Sequence, residues 1–231
     1  MKYAYVFLII MLWTNSSSAQ QSDSSGFVSL FDGQSLNGWT ASTENPESFS
    51  VSDESIICKG GRAHLFYTGP VGDADFVNFE LKLKVKTTAQ SNSGVYFHTK
   101  YQEEGWPGVG FEAQVNSTHS DPRKTGSLYG IVNIWAPKSD SDQFVVRVNQ
   151  RQEVFIYQDA APSTDDEWFD YHIVVMGNKI QISVNGTLTV DWTQPKDWER
   201  NQRISSGTIG LQAHDPDSEI HYRDIAIKVL E

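Results

Sequence analysis

Residues Phe79 to Thr87 read FELKLKVKT, and the fold class turns on that alternation. Phe79, Leu81, Leu83 and Val85 fall on one side of an extended backbone, while Glu80, Lys82, Lys84 and Lys86 fall on the other. A period of two with one apolar and one polar face is the signature of a half-buried strand. The pattern recurs outward in both directions, in SGVYFHT (93–99), GFEAQV (110–115), QFVVRVN (143–149), EVFIY (153–157), YHIVVMGN (171–178), GTIGLQAH (207–214) and IHYRDIAIKVL (220–230). Gly, Asn, Asp and Pro punctuate these runs at short intervals, and helical periodicity is scarce. Many short strands with turn signals between them predict an all-β sandwich of antiparallel sheets. Within GNKIQISVNGTLTVDW (177–192), Asn185-Gly186 joins two alternating runs and suits the positive φ angles of a type I′ hairpin turn.

The chain opens MKYAYVFLIIMLWTNSSSAQQ. One Lys, an apolar run from Tyr3 to Trp13 and small residues up to Ala19 have the form of a secretory signal peptide, and the run is too short to span a bilayer. Cleavage is expected after Ala19, giving an exported product, periplasmic or extracellular, with residues 20–231 as a single domain. Cys58 is the sole cysteine, so no internal disulfide forms; following Ile56 and Ile57, it reads as a small buried hydrophobe. A formal net charge of −11 with no basic stripe argues against nucleic acid as a partner. The 7 Trp, 9 Tyr and 12 Phe are expected to be partly core, and exposed aromatic rings would suit the C–H faces of sugars.

In GFEAQV, Phe111, Ala113 and Val115 point one way, with Glu112 and Gln114 opposite. That polar face meets either bulk water or a cleft, and the pattern alone does not choose. Trp106, in the Gly- and Pro-rich loop EEGWPGVG just before this strand, is the candidate ring platform at a cleft rim, whereas Trp39 and Trp192 read as packing. His214, Asp215, Asp217, Glu219 and His221 have the composition of a metal cluster, but Pro216 breaks the strand, so a loop of solvated acids is expected and no metal ligand is assigned. The acidic loops PKSDSDQ (137–143) and PSTDDEW (162–168) lack the spacing of a dedicated calcium loop and are read as solvated turns.

Five blocks, in order, resemble the 3-keto-disaccharide hydrolase domain family: GFVSLFDGQSLNGW (26–39), DFVNFELKLKVKTTAQSNSGVYFHT (75–99), GFEAQV with TGSLYGI (110–115 and 125–131), WFDYHIVVMGNKIQISVNGTLTVDW (168–192) and GTIGLQAHDPDSEIHYRDIAI (207–227). The resemblance implies a concanavalin A-like jelly roll whose curved sheet carries a carbohydrate on its concave face. It also implies action on glycosides whose C3 hydroxyl has been oxidised to a ketone. On that footing Glu112 and Gln114 face the cleft, with Glu80, Tyr96, His98 and Gln212 as candidate neighbours across strands.

A C3 ketone makes the C2 proton acidic, because the carbanion is an enolate. One general base then suffices, with donors for the enolate oxygen, and the C1 aglycone leaves by β-elimination before water adds back. Glu112 or His214 is the expected base; Gln114, with Asn92 or Tyr129, is expected to orient sugar hydroxyls. A divalent cation polarising the ketone would also fit this chemistry. Ordinary glycosidases use two carboxylates, and FEAQV carries one, with Gln114 where a second would fall, unless Glu80 supplies it. A non-catalytic carbohydrate-binding module and a two-carboxylate glycosidase are the competing readings.

Overall fold

The computed structural model describes residues 25–136, 143–148 and 151–231. The expected signal peptide and most of the PKSDSDQ loop lie outside the described residues. The strands are β1 (Val28–Ser29), β2 (Trp39–Ala41), β3 (Phe49–Ser52), β4 (Ser55–Lys59), β5 (Ala63–Tyr67), β6 (Phe79–Thr87), β7 (Asn92–Thr99), β8 (Phe111–Asn116), β9 (Val132–Ala136), β10 (Gln143–Val148), β11 (Arg151–Tyr157), β12 (Phe169–Met176), β13 (Lys179–Val184), β14 (Thr187–Thr193), β15 (Thr208–Ala213) and β16 (Glu219–Val229). Only short 3₁₀ turns accompany them among the described residues, and no helix there is long and apolar enough to cross a membrane.

Two antiparallel sheets form a jelly-roll sandwich. The larger runs β14-β13-β12-β6-β16-β4-β3, with β1 beside β16; the smaller runs β2-β5-β15-β7-β8. A further sheet, β10-β11-β9, contains the parallel pair β11 and β9. The alternation of β6 is realised as read: Phe79, Leu81, Leu83 and Val85 are buried and join one hydrophobic cluster with Val95, Phe97, Phe111, Ala113, Val115 and Leu211 from the smaller sheet. Cys58 is fully buried in the same cluster, and burial pushes its thiol pKa up, away from reactivity. Trp39 and Trp192 are packed residues, the former donating from Nε1 to Leu30 O at 2.7 Å. Val184 pairs with Thr187, and Asn185 (φ 49°) and Gly186 (φ 76°) make the expected two-residue hairpin turn.

Hydrogen bonds through the core tie β7, β8 and β15 to one another and to the larger sheet. Tyr171 of β12 donates from Oη to Gln114 O of β8 at 2.9 Å. Ser93 of β7 donates to Gln212 O of β15 at 2.6 Å, and its Oγ lies 2.7 Å from Tyr222 Oη of β16. Buried hydroxyls satisfied in this way hold β7, β8 and β15 in position relative to the larger sheet.

Two expectations fail here. Glu80 lies on β6 in the other sheet, 3.4 Å from His172 Nε2, so it cannot serve as a partner on the β8 face. His98 does not follow the alternation of β7. Its φ of +52° breaks the extended run and turns the ring inward, among Phe79, Phe97 and Phe111. There Nε2 sits 2.9 Å from Val77 O and Nδ1 accepts from Ser205 N at 3.3 Å. Burial lowers the pKa of this imidazole, which is a core residue and not a cleft residue.

The same irregularity brings Gly110, at the entry to β8, against the backbone of β7: a Cβ there would lie 2.5 Å from Phe97 O, at a φ of +86°. Gly110→Ala is therefore expected to destabilise the protein by about 2–4 kcal/mol, from a clash with rigid backbone plus an unfavourable φ. Denaturant unfolding checks this; a midpoint unchanged from wild type would contradict it.

Candidate active site

The cleft-facing residues of the smaller sheet are placed by register. Tyr96 pairs with Glu112 and Gly94 with Gln114 across β7 and β8, while Gln212 of β15 pairs with His64 of β5. Since Phe111, Ala113 and Val115 are committed to the core, Glu112 and Gln114 must face the other way. They open into a cavity of about 300 Å³, near the small end for ligand pockets, lined also by Asn92, Tyr96, Trp106, Tyr129, Gln212 and His214. Of the candidates from the sequence, the structure thus brings together Glu112, His214, Gln114, Asn92, Tyr96, Trp106, Tyr129 and Gln212, and leaves out Glu80 and His98.

Glu112 is buried on a floor made by Gly94, whose missing side chain leaves the space: a Cβ there would meet Glu112 Oε1 at 2.5 Å. Tyr96 Oη donates to Glu112 Oε2 at 3.0 Å, and Gln212 Nε2 donates to Tyr96 Oη at 2.9 Å and to Glu112 Oε1 at 3.5 Å. Burial pushes the Glu112 pKa up to about 7, against the downward pull of the Tyr96 and Gln212 hydrogen bonds. The carboxyl is therefore poised between its two forms at neutral pH. Burial, with Glu112 close by, drives the Tyr96 hydroxyl well above its ordinary value, so it stays a proton donor. Gln114 is held through Nε2, which donates to Asn92 Oδ1 at 2.8 Å and to Ser93 O at 3.0 Å.

Trp106 stands at the rim, 47% exposed, with the Arg62 guanidinium 5.1 Å from its ring centre and the His214 ring at 5.4 Å. Glu44 fixes this edge by accepting from Arg62 and from Gly105 N. Beneath Trp106 lies His64, which sequence reasoning missed. Its ring is buried edge-on to Tyr96 and Trp106, and neither nitrogen has a protein partner. Burial holds its pKa down to about 4, leaving it neutral. The available signal was parity within AHLFY, where His64 opposes core-facing Ala63 and Leu65.

Of the five residues with metal-cluster composition, Glu219 and His221 turn to each other and Glu219 also to Lys59. His214 and Asp215 remain together and are joined by His119 from the loop after β8, the ligand atoms of the three lying within 4.8 Å of one another. His214 Nδ1 is 2.6 Å, and His119 Nε2 3.7 Å, from Asp215 Oδ2. Two imidazoles and a carboxylate could hold a divalent transition metal; as they stand, Asp215 instead engages the Nδ1 side of His214. No sequence spacing pointed to His119, which arrives through loop geometry.

A jelly-roll sandwich with a polar, aromatic-rimmed cleft around a buried carboxylate defines a concanavalin A-like fold with a candidate site on the smaller sheet. The chain belongs to the family of the 3-keto-alpha-glucoside-1,2-lyase-like domain, whose model matches residues 26–228. It is 21% identical over 238 aligned residues to a 3-keto-disaccharide hydrolase of Bacteroides thetaiotaomicron, an alignment covering 90% of this chain and 80% of that protein. Among solved structures it is similar to a candidate glycosyl hydrolase from Parabacteroides distasonis, with TM-score 0.66, 19% identity, and coverage of 90% of this chain and 95% of that one. A carbohydrate-binding module from Bacillus subtilis shares the fold at TM-score 0.50 and 13% identity, covering 83% of this chain and 95% of that one.

Because the Tyr96 hydrogen bond lowers the Glu112 pKa, Tyr96→Phe is expected to raise it above about 7. A carbon-13 titration of the Glu112 carboxyl reads the shift; an unchanged or lower midpoint would show that Tyr96 does not hold this group.

Proposed function

We propose that the protein cleaves 3-keto-glucosides or 3-keto-disaccharides by elimination and rehydration. The observation that carries this reading is the single buried carboxylate: among the described residues, Glu112 is the one acid lining the cavity, with a pKa near operating pH. Two-carboxylate hydrolysis needs a second acid across the bond, whereas removal of an activated C2 proton needs one base. A purely binding module would have no use for a carboxyl tuned in this way. The family and the Bacteroides relative's name support the substrate class.

In this mechanism the Glu112 carboxylate takes the C2 proton, and the electron pair moves to the C3 oxygen as an enolate. Once Glu112 is protonated it accepts less strongly, and the Tyr96 hydroxyl, still receiving Gln212 Nε2, can turn its proton toward that oxygen. The electrons then return, the C1–O bond breaks, and the aglycone oxygen leaves with a proton. Water then adds its hydroxide to C1, Glu112 returns its proton to C2, and water's second proton replaces the one the aglycone took, which restores the 3-keto sugar and completes a net hydrolysis. His214, engaged at Nδ1 by Asp215, is placed at the cavity wall to exchange protons with the leaving oxygen and the incoming water. Gln114 and Asn92 orient sugar hydroxyls, and Trp106 offers a face for the ring. We further propose that the protein is exported, which the apolar run Tyr3–Trp13 supports.

Glu112→Gln is expected to lower kcat/KM on a 3-keto-glucoside by about 10²–10⁴-fold while leaving the unoxidised glucoside uncleaved by either protein. In the wild type the ionised base is the active form, so kcat/KM should rise with pH to a plateau, with its midpoint near the Glu112 pKa of about 7. Full activity in the variant, or cleavage restricted to unoxidised sugars, would remove the assignment. For export, mass spectrometry of the secreted chain should find Gln20 as its first residue; a retained Met1 would count against a cleaved leader.

A further inference from the structure

A second cavity, of about 310 Å³, adjoins the first and shares Gln114, Tyr129 and Gln202 with it as common wall. Its own lining is Lys124, Ser127, Gly130, Asn133, Trp135 and Glu153. We propose that this cavity is the binding site for the second ring of a neutral disaccharide, the ring whose oxygen leaves from C1. This deepens the C3-ketone reading and rests on it for the placement of the reacting ring.

Three observations carry the assignment. First, the shared wall makes the two cavities contiguous, and Tyr129, 53% exposed, stands in that wall where a linkage between two rings would pass. The base lies on one side of it only, since Glu112 lines the first cavity and not the second. The reacting ring therefore belongs beside Glu112 and the departing ring beyond Tyr129. Second, the lining matches a polyol. Asn133, buried on β9, donates from Nδ2 to Glu153 Oε2 of β11 at 2.9 Å, which orients an amide and a carboxylate together. Lys124 is positioned by its ammonium lying 4.9 Å from the Trp135 ring centre and 3.0 Å from Ser120 Oγ. Carboxylate and amide oxygens accept from hydroxyls, and the ammonium and amide donate to them. Third, Lys124 and Glu153 cancel in formal charge, which favours a neutral sugar over a uronic acid or an amino sugar. An apolar aglycone would offer this polar set no hydroxyls to bond with.

The test compares kcat/KM for a 3-keto-disaccharide with that for methyl 3-keto-glucoside, whose aglycone is too small to reach the second cavity. The wild type should prefer the disaccharide, and Asn133→Ala and Glu153→Gln should each cut the preference ratio by about tenfold, the effect of losing a hydrogen bond to a well-held polar group. A ratio unchanged in both variants would overturn the proposal. An equal loss on both substrates would also overturn it, because it would mark a structural role. Calorimetry on the Glu112→Gln protein, with the same two sugars, reads the site without catalysis. Tighter disaccharide binding that Asn133→Ala abolishes supports the second-ring site even if no 3-keto-glycoside is turned over. Equal affinities refute that site even if the reaction is confirmed.

Discussion

The constraint on which the site depends is the commitment of one face of β7, β8 and β15 to the core. Val95, Phe97, Phe111, Ala113, Val115 and Leu211 are buried against the larger sheet, and a slip of one residue in β8 would exchange Phe111, Ala113 and Val115 for Glu112 and Gln114. The cost would be several buried apolar side chains, each worth about 1.5–3 kcal/mol, plus a carboxylate forced into the core. Tyr171 and Tyr222, reaching across from β12 and β16, lock the same strands through hydrogen bonds to Gln114 O and to Ser93. The packing that makes the sandwich therefore also aims the site.

What the outward face does with that placement is mainly electrostatic. Glu112 is deprived of water by its burial over Gly94 and is left, among the described residues, with the Tyr96 and Gln212 side-chain donors. The balance of desolvation against hydrogen bonding brings its pKa to about 7, well above an ordinary carboxyl. The surroundings add little competing charge. His64 is held neutral by burial, and the Arg62 guanidinium is turned to Glu44 and the face of Trp106.

Much of this was legible in the chain. Alternation located β6, β7, β8 and β15 and the side each residue faces, and it put Glu112 and Gln114 together, with Gln212 and His214 sharing their own parity. It failed where the backbone departs from a regular strand or where partners depend on which strands are neighbours. His98 has the parity of Tyr96, but a positive φ turns it into the core. Glu80 alternates correctly on β6, yet that strand belongs to the opposite sheet. His119 reaches His214 and Asp215 from a loop with no local code, whereas His64 had a local code in the parity of β5 but none for its place beneath Trp106, which depends on which strands and loops become neighbours.

By itself, then, the sequence determined that this is an antiparallel sandwich and, wherever a strand stays regular, which of its side chains stay out of the core; His98 is the exception. Those follow from local periodicity, turn chemistry and the requirement to bury apolar surface. The tertiary structure alone decided which polar faces meet: that Tyr96 and Gln212 flank Glu112 over Gly94, that Trp106 roofs His64, and that a second cavity continues past Tyr129. The physical reason is that desolvation, and with it the tuning of a carboxyl, is set by atoms distant in the chain and adjacent only after folding.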